Sequence, residues 1–294
     1  MRCDIENVAE KIGFFLSCRL CIERRRKKEP PMPETIMITG ATSGIGLATA
    51  EAFAKRASAD KPIELLILGR RMDRLEAFAE RWRGIAGVGV VCVKLDVRDN
   101  AAVKKFGEKF QDSLARLDIL VNNAGLAAGR DPIQSGNIDD WEQMIDTNLK
   151  GLLYVTRLVT PHLIKRGAGH IVNIGSVAGR AAYRQGAVYC ATKFGVRAIN
   201  DGLRMDLLGS GVRVTSIDPG MVDTEFSLVR FKGNEEIAKA IYKDFTPLTA
   251  EDIANSILWV TSVPKHVNVQ EMLIMPTDQA MGLDPHRRLV PKAE

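Results

Sequence analysis

The chain holds 294 residues, 46% hydrophobic and 26% charged, a balance that fits a soluble globular protein with a sizeable core and excludes the disordered and fibrous classes. Of its formal charge of +5, +3 sits in residues 1–31, where eight Lys/Arg meet five Asp/Glu; the remainder has no basic face, helix-turn-helix or RNA-binding signature, which argues against a nucleic-acid binder. Cys3, Cys18 and Cys21 also fall in that N-terminal piece, leaving Cys92 and Cys190 with neither a disulfide framework nor metal-ligand spacing, so no metal and a reducing, cytoplasmic setting are expected.

Within residues 1–31 the apolar stretch 12–22 is interrupted by Arg19 and falls short of the roughly 20 residues that span a bilayer. Mixed charges precede it and the basic run 24–28 follows it, the reverse of a signal peptide, while Asp4, Glu6 and Glu10 speak against a mitochondrial presequence. Pro30, Pro31 and Pro33 break any helix, and a strand pattern starts at Thr35. Residues 1–31 are therefore expected to be an N-terminal extension, disordered or outside the working protein, with Met32 as the working start and residues 32–294 as one domain.

From Thr35 onward short apolar runs at 35–39, 64–68, 88–95, 119–122, 171–174, 212–217 and 272–275 alternate with segments such as 47–56, 74–82 and 102–110, whose apolar residues recur at three and four. Seven strands with helices between them predict an α/β fold: a single Rossmann-type, doubly wound domain whose seven-stranded parallel sheet carries helices on both faces. Thr249-Ala-Glu-Asp252 is a capping box for a late helix, and the less regular insert 221–247 before it is expected to act as a substrate loop.

Directly after the first strand comes the turn Gly40, Ala41, Thr42, Ser43, Gly44, Ile45 and Gly46, opening straight into a helix. Gly40 permits a tight turn, Gly44 lets backbone approach a pyrophosphate, Gly46 allows close helix packing, and the helix N-terminus attracts negative charge. The second strand ends in Arg70-Arg71, where an enzyme selective for the unphosphorylated cofactor would place an acid; two guanidiniums suit a 2′-phosphate and predict NADP (NADPH). Asp96-Val97 and the run containing Asn123 follow the third and fourth strands, at the edge where open α/β sheets bind ligands, and are expected at the adenine and its ribose.

Tyr189 and Lys193 lie one turn apart on one face of a long helical pattern, and Ser176 sits just beyond the fifth strand. A nearby ammonium and a positive nicotinamide would favour the phenolate and lower the tyrosine pKa, so that Tyr189 serves as general acid in carbonyl reduction and general base in alcohol oxidation. Lys193 would also hold the nicotinamide ribose, Ser176 would donate a hydrogen bond to the substrate oxygen, and Asn148, inside a helical pattern that asparagine disfavours, would join a water relay behind the lysine.

Together these motifs resemble the short-chain dehydrogenase/reductase family over residues 34–280. The resemblance implies that Gly40, Gly44 and Gly46 are its glycine turn, that Asn123 belongs to its asparagine motif, and that Asn148, Ser176, Tyr189 and Lys193 are its catalytic set. It further implies Pro219-Gly220 as the turn after the sixth strand, with Val222 and Thr224 at the nicotinamide and pyrophosphate.

Segments 220–233, 247–253 and 275–280 are similar to a narrower group, the NADP-dependent 3-hydroxy acid dehydrogenases that include serine and L-allo-threonine dehydrogenases. This implies oxidation at C3 of a small hydroxy acid, or reduction of the matching carbonyl, by a homotetramer with no membrane span. A substrate carboxylate should meet a cation, and Arg184 and Arg230 are the candidates. Alternatives are a broad carbonyl, steroid or β-ketoacyl reductase on the same scaffold and, against the complete tetrad, a non-catalytic NADPH-binding protein. Whether Phe226, Phe231 and Phe245 of the insert face substrate or core stays open at this point.

Overall fold

Strand-forming apolar runs set the frame: β1 Glu34–Thr39, β2 Ile63–Gly69, β3 Val88–Lys94, β4 Leu117–Asn122, β5 Gly169–Ile174, β6 Val212–Pro219 and β7 Glu271–Ile274. In this computed structural model, which describes residues 31–282 and 285–287, they form one sheet in the order β3-β2-β1-β4-β5-β6-β7. Every neighbouring pair is parallel. The extension expected at 1–31 lies outside the described residues except for its last position.

The register puts Ile38 between Ile67 on one side and Val121 on the other. Because side chains alternate across a strand, β1 and β2 send Ile36, Ile38, Leu65 and Ile67 to one face and Met37, Leu66 and Leu68 to the other. All seven are essentially inaccessible to solvent, which explains why these strands read as unbroken apolar runs and not as an alternation. On the first face pack Phe53 of α1 (Gly44–Arg56), Trp82 of α2 (Met72–Trp82) and Ile257 of the late helix Ala250–Ser262.

The second face is covered by Val103 and Phe106 of α3 (Asn100–Lys109), Leu114 of α4 (Gln111–Ala115), and Val155, Val159 and Leu163 of α6 (Leu152–Arg166). Between α5 (Ile138–Ile145) and α6 the chain winds through a π-helical segment, Asp146–Gly151. The long helix α7 (Ala187–Asp206) follows β5 after a single 3₁₀ turn, Val177–Gly179. Burial of each large aliphatic side chain contributes on the order of 1.5–3 kcal/mol, which makes this two-sided core the scaffold on which the strand ends are held.

The insert 221–247 contains two short helices, α8 (Glu225–Arg230) and α9 (Glu235–Ala240). Its base is closed by a parallel bridge between Val222 and Leu248, with the Leu248 amide donating to the Met221 carbonyl at 3.0 Å. The excursion thus starts and ends at one point beside the C-terminal end of β6. At its exit, α10 (Ala250–Ser262) begins with the capping box expected from Thr249 and Asp252, both reciprocal hydrogen bonds being present.

One buried ionisable group in the sheet gives a test of the packing. The Thr215 hydroxyl donates to the Val269 carbonyl at 2.6 Å, so it can only accept from His170, whose Nε2 lies 2.7 Å away. His170 is therefore the Nε2–H tautomer, and its Nδ1 is buried without a partner. Burial, aided by the positive charge of Arg213, pulls its pKa down to about 3. Between that value and the ordinary imidazole value the unfolded chain binds a proton that the folded chain refuses, so stability falls as pH falls through that window. Lowering the pH from 7.5 to 5.5 is expected to cost about 1.4 kcal/mol through this group, read as a shift in urea midpoint that a His170→Gln variant lacks.

Candidate active site

The cleft lies at the carboxyl edge of the sheet, where the strand order reverses between β1 and β4. The end of β1 is clasped to the residues after β4. The Thr39 hydroxyl accepts from the amides of Asn123 and Ala124 at 3.1 and 3.0 Å. The Asn123 side-chain amide donates back to the carbonyls of Thr39 and Gly40 at 2.9 and 3.1 Å. Asn123 borders the cleft, but its amide group is used to pin the glycine turn and not to reach toward an adenine ribose.

Gly40 and Gly44 have φ of +68° and +54°, a region that L side chains rarely adopt. At Gly46 a Cβ would come within 2.4 Å of the Asn123 amide nitrogen, so only glycine lets α1 approach this closely. Ser43 stands at the N-cap of α1 without capping it, and no acidic residue occupies the first turn. The leading amides of α1 are thereby left for an anion, the arrangement a pyrophosphate needs. Gly40, Thr42, Ser43, Gly44 and Ile45 line the cleft, whereas Ala41 and Gly46 are buried behind it.

At the far end of this cleft of about 250 Å³, Arg70 is exposed at the mouth and Arg71 is already engaged. Arg71 donates to the hydroxyls of Thr42 and Ser43 at 3.0 and 2.9 Å and to Glu225 at 3.0 Å. Glu225 also takes Arg74 at 2.6 Å. Burial opposes its ionisation, but the Arg74 and Arg71 hydrogen bonds prevail and hold its carboxyl below the usual range. The sequence reading found the two adjacent arginines and missed Glu225 and Arg74. The same end holds Asp96 and Val97, with Asp96 kept well ionised by hydrogen bonds from Arg98.

Pro219, Gly220, Val222 and Thr224 form the opposite wall. Thr224 caps α8 by accepting from the Phe226 amide at 3.2 Å, and its Cβ would stand 3.3 Å from a Cβ placed on Gly44. The residues on both walls fit a phosphorylated dinucleotide: a glycine turn, an uncapped helix start, and arginines where a 2′-phosphate would lie.

Ser176, Tyr189 and Lys193 meet in the middle of the cleft. Ser176 hydrogen-bonds the Tyr189 phenol, and its oxygen also caps the 3₁₀ turn by accepting from Ala178. The Lys193 ammonium lies 6.0 Å from the Tyr189 ring centroid and donates to the Ile174 carbonyl at 2.8 Å. Burial pulls the lysine pKa down to about 8. The tyrosine departs from the expected direction: burial, reinforced by Tyr183, pushes its phenol up, and the hydrogen bond from Ser176 and the charge of Arg230 only partly offset this. The expectation counted charges, whereas desolvation of the phenolate dominates.

Asn148 sits in the π-helical segment and does not line the cleft. Its Oδ1 accepts from the Leu126 amide, and its Nδ2 donates to the Leu126 carbonyl and to Thr192, at 2.8–3.0 Å. Both amide hydrogens are used, so the side chain locks the loop after β4 onto α7 beside Lys193. The side chain is thus a positioning group, and its two amide hydrogens are not the part of Asn148 that could carry the expected water relay. Cys190 packs in a small apolar cluster with Tyr189.

A second, smaller cavity of about 80 Å³ opens on Ser176 and Tyr189 from the side of the insert. Arg230 forms part of its wall, 7% exposed, donating to the Gly129 carbonyl at 3.2 Å and to the Tyr183 hydroxyl at 2.9 Å. Phe226 and Phe231 face this cavity, and Phe226 meets Tyr189 edge-on at 5.7 Å between centroids, whereas Phe245 is buried elsewhere in the insert. Arg184 does not belong here. It is exposed and borders neither the cleft nor the small cavity, because the chain turns at Gln185 (φ +61°) and starts α7 beyond it.

Two variants test this geometry. Tyr189→Phe is expected to lower kcat by about 10²–10⁴-fold, the usual contribution of a positioned proton donor, while NADPH still quenches or shifts its fluorescence on binding. Arg71→Ala is expected to raise the NADPH Kd by about ten- to a hundredfold, the range for hydrogen bonds between charged groups, and to leave the NADH Kd nearly unchanged; equal losses in a fluorescence titration would make the arginine a structural partner of Glu225 alone.

The family profile described as short chain dehydrogenase matches residues 34–234. A serine 3-dehydrogenase from Rhizobium radiobacter is 47% identical over 251 residues, covering 85% of this chain and 97% of that protein. The NADP-dependent 3-hydroxy acid dehydrogenase YdfG of Salmonella typhi is 44% identical over 254 residues, covering 86% and 99%. Among solved structures, the closed form of serine dehydrogenase complexed with NADP+ superposes with a TM-score of 0.78 at 42% identity, covering 86% of this chain and all of that one. With a parallel sheet in Rossmann order, a glycine turn at the switch point and a serine, tyrosine and lysine converging beside it, the chain belongs to the short-chain dehydrogenase family.

Proposed function

We propose that this chain is an NADP-dependent oxidoreductase that oxidises the C3 hydroxyl of small 3-hydroxy acids of the serine, allo-threonine, 3-hydroxyisobutyrate or 3-hydroxypropionate type, or reduces the matching carbonyl. The observation that carries this reading is the small cavity: it opens on Ser176 and Tyr189, holds the buried guanidinium of Arg230, and has no acidic side chain in its lining. Its volume of about 80 Å³, against about 250 Å³ for the dinucleotide cleft, favours a substrate much smaller than a steroid or an acyl thioester. The similarity to enzymes named for serine and 3-hydroxy acids points the same way.

NADP, when bound, supplies the hydride acceptor for oxidation or, as NADPH, the donor for reduction. Ser176 donates a hydrogen bond to the substrate oxygen and so fixes it against Tyr189. In oxidation the hydroxyl proton passes to the tyrosine oxygen while the C3 hydrogen leaves with its electron pair; in reduction Tyr189 returns the proton to the new alkoxide. The raised pKa of Tyr189 makes it a proton donor at neutral pH, so oxidation gains as pH rises. Lys193 sets the charge beside the phenol, and Asn148 holds the loop and helix that position it.

The working unit in this reading is residues 32–294 with 1–31 as an extension, and the insert 221–247 is the substrate loop. Two sets of exposed apolar side chains favour a homotetramer, since two distinct self-complementary faces are what dihedral assembly needs. The exposed apolar side chains are Ile145, Leu153 and Phe194 on the segment from α5 to α7, and Trp259, Leu273 and Met281 toward the C-terminal end of the chain, Leu273 on the edge strand β7. No helix among the described residues is long and apolar enough to cross a membrane, and the unpaired Cys92 and Cys190 agree with a cytoplasmic setting.

The test is turnover with NADP and then NAD against serine, allo-threonine, 3-hydroxyisobutyrate, 3-hydroxypropionate, a hydroxysteroid and a simple alcohol, followed by absorbance of the reduced nicotinamide at mildly alkaline pH. NADP reduction confined to the small hydroxy acids is expected. Silence there, with NADPH oxidation by bulky ketones or acyl thioesters, overturns the substrate reading.

A further inference from the structure

The small cavity has a second cation that neither the glycine turn nor the tetrad uses. Arg130, in the loop that follows β4, lines the same wall as Arg230, Tyr183 and the reacting pair Ser176 and Tyr189. Its Nε is buried and has no hydrogen-bond partner. Among the described residues neither Arg130 nor Arg230 has a carboxylate partner, although Arg230 is almost fully buried. Buried guanidiniums without a counter-anion are strongly disfavoured unless something negative completes the site.

The remaining donors point to what completes it. Arg230 uses Nε on the Gly129 carbonyl and Nη1 on Tyr183, which leaves Nη2 without a protein partner among the described residues. The Tyr183 oxygen accepts from Arg230 and keeps its own hydrogen to donate. Arg130, Arg230 and Tyr183 all line this one cavity; burial pushes the Tyr183 phenol up, and the charges of Arg230 and Arg130 act on it in the opposite sense. A planar carboxylate, with two oxygens and four lone-pair directions, matches two guanidiniums and a hydroxyl.

We propose that Arg130 and Arg230, with the Tyr183 hydroxyl between them, form a clamp for the carboxylate of the substrate, and that Arg130 is a specificity-determining residue for anionic over neutral alcohols. The inference rests on the small-substrate reading above and adds the group that selects for charge. Arg230 is also part of the wall, stacked within 5.4 Å of the Tyr183 ring centroid and 5.8 Å of that of Tyr189, so its replacement would disturb packing. Arg130 donates no hydrogen bond within the protein among the described residues, which makes it the cleaner residue to change.

The experiment compares wild type, Arg130→Gln and Arg130→Lys on 3-hydroxypropionate and on its uncharged amide. The ratio of kcat/KM for acid over amide is expected to fall about ten- to a hundredfold in Arg130→Gln, through KM, and to recover in part in Arg130→Lys, as hydrogen bonds to charged groups contribute about 1.5–3 kcal/mol. An unchanged ratio overturns the clamp. In parallel, isobutyrate, which has the carboxylate but no hydroxyl, is titrated into each NADPH complex and followed by nicotinamide fluorescence. Saturable binding to wild type that weakens at least tenfold in Arg130→Gln upholds the clamp even if the wild type oxidises no 3-hydroxy acid and the substrate reading fails. Equal affinity in both proteins, or no binding to wild type, overturns it.

Discussion

The clasp between the end of β1 and the loop after β4 is the constraint on which the rest of the site depends. Thr39 and Asn123 exchange side-chain and backbone hydrogen bonds across the point where the strand order reverses, which fixes the glycine turn against a neighbouring strand. The close approach at Gly46 and the positive φ values at Gly40 and Gly44 are consequences of that fit. From there the loop runs on to Leu126, which Asn148 ties to Thr192 and hence to the helix carrying Tyr189 and Lys193. One continuous set of hydrogen bonds therefore joins the phosphate end of the cleft to the reaction centre, and the π-helical turn around Asn148 is the irregularity that lets its side chain reach.

The reaction centre is buried, and burial sets its electrostatics more than any single charge does. Burial moves Tyr189 and Lys193 in opposite directions, each toward its neutral form, and drives apart proton affinities that are nearly equal in the free side chains. A phenol surrounded by Phe226, Cys190 and Tyr183 is not an acid by nature. Ser176 and the charge of Arg230 ease the ionisation of its oxygen, and the Lys193 ammonium stands 6.0 Å from the ring centroid.

The parts of this site that the sequence displays are those encoded locally. The glycine turn is contiguous, Tyr189 and Lys193 are one helical turn apart, and the seven apolar runs mark their strands to within two residues. The parts it hides are made by distant closure. Glu225 reaches Arg71 across 154 positions, and Arg130 meets the wall of Arg230 from a loop a hundred residues earlier with no periodicity or motif around it. Arg184 and Arg230 look alike in a sequence, and only the path of the chain buries one and exposes the other. The direction of the Tyr189 pKa was hidden for the same reason, since burial is a property of the assembled cleft.

The six-residue helix α8 has Glu225 at its first position and Arg230 at its last, about 7.5 Å apart along the axis. Its start is tethered to Arg71 and Arg74 at the phosphate end of the cleft, and its end forms the cationic wall of the small cavity. In the proposed reading, cofactor preference and substrate preference are therefore written on opposite ends of one short helix. A redesign that exchanges the arginines of the phosphate subsite to accept an unphosphorylated dinucleotide would also untie the element that shapes the proposed acid subsite, so that reading makes the two specificities epistatic.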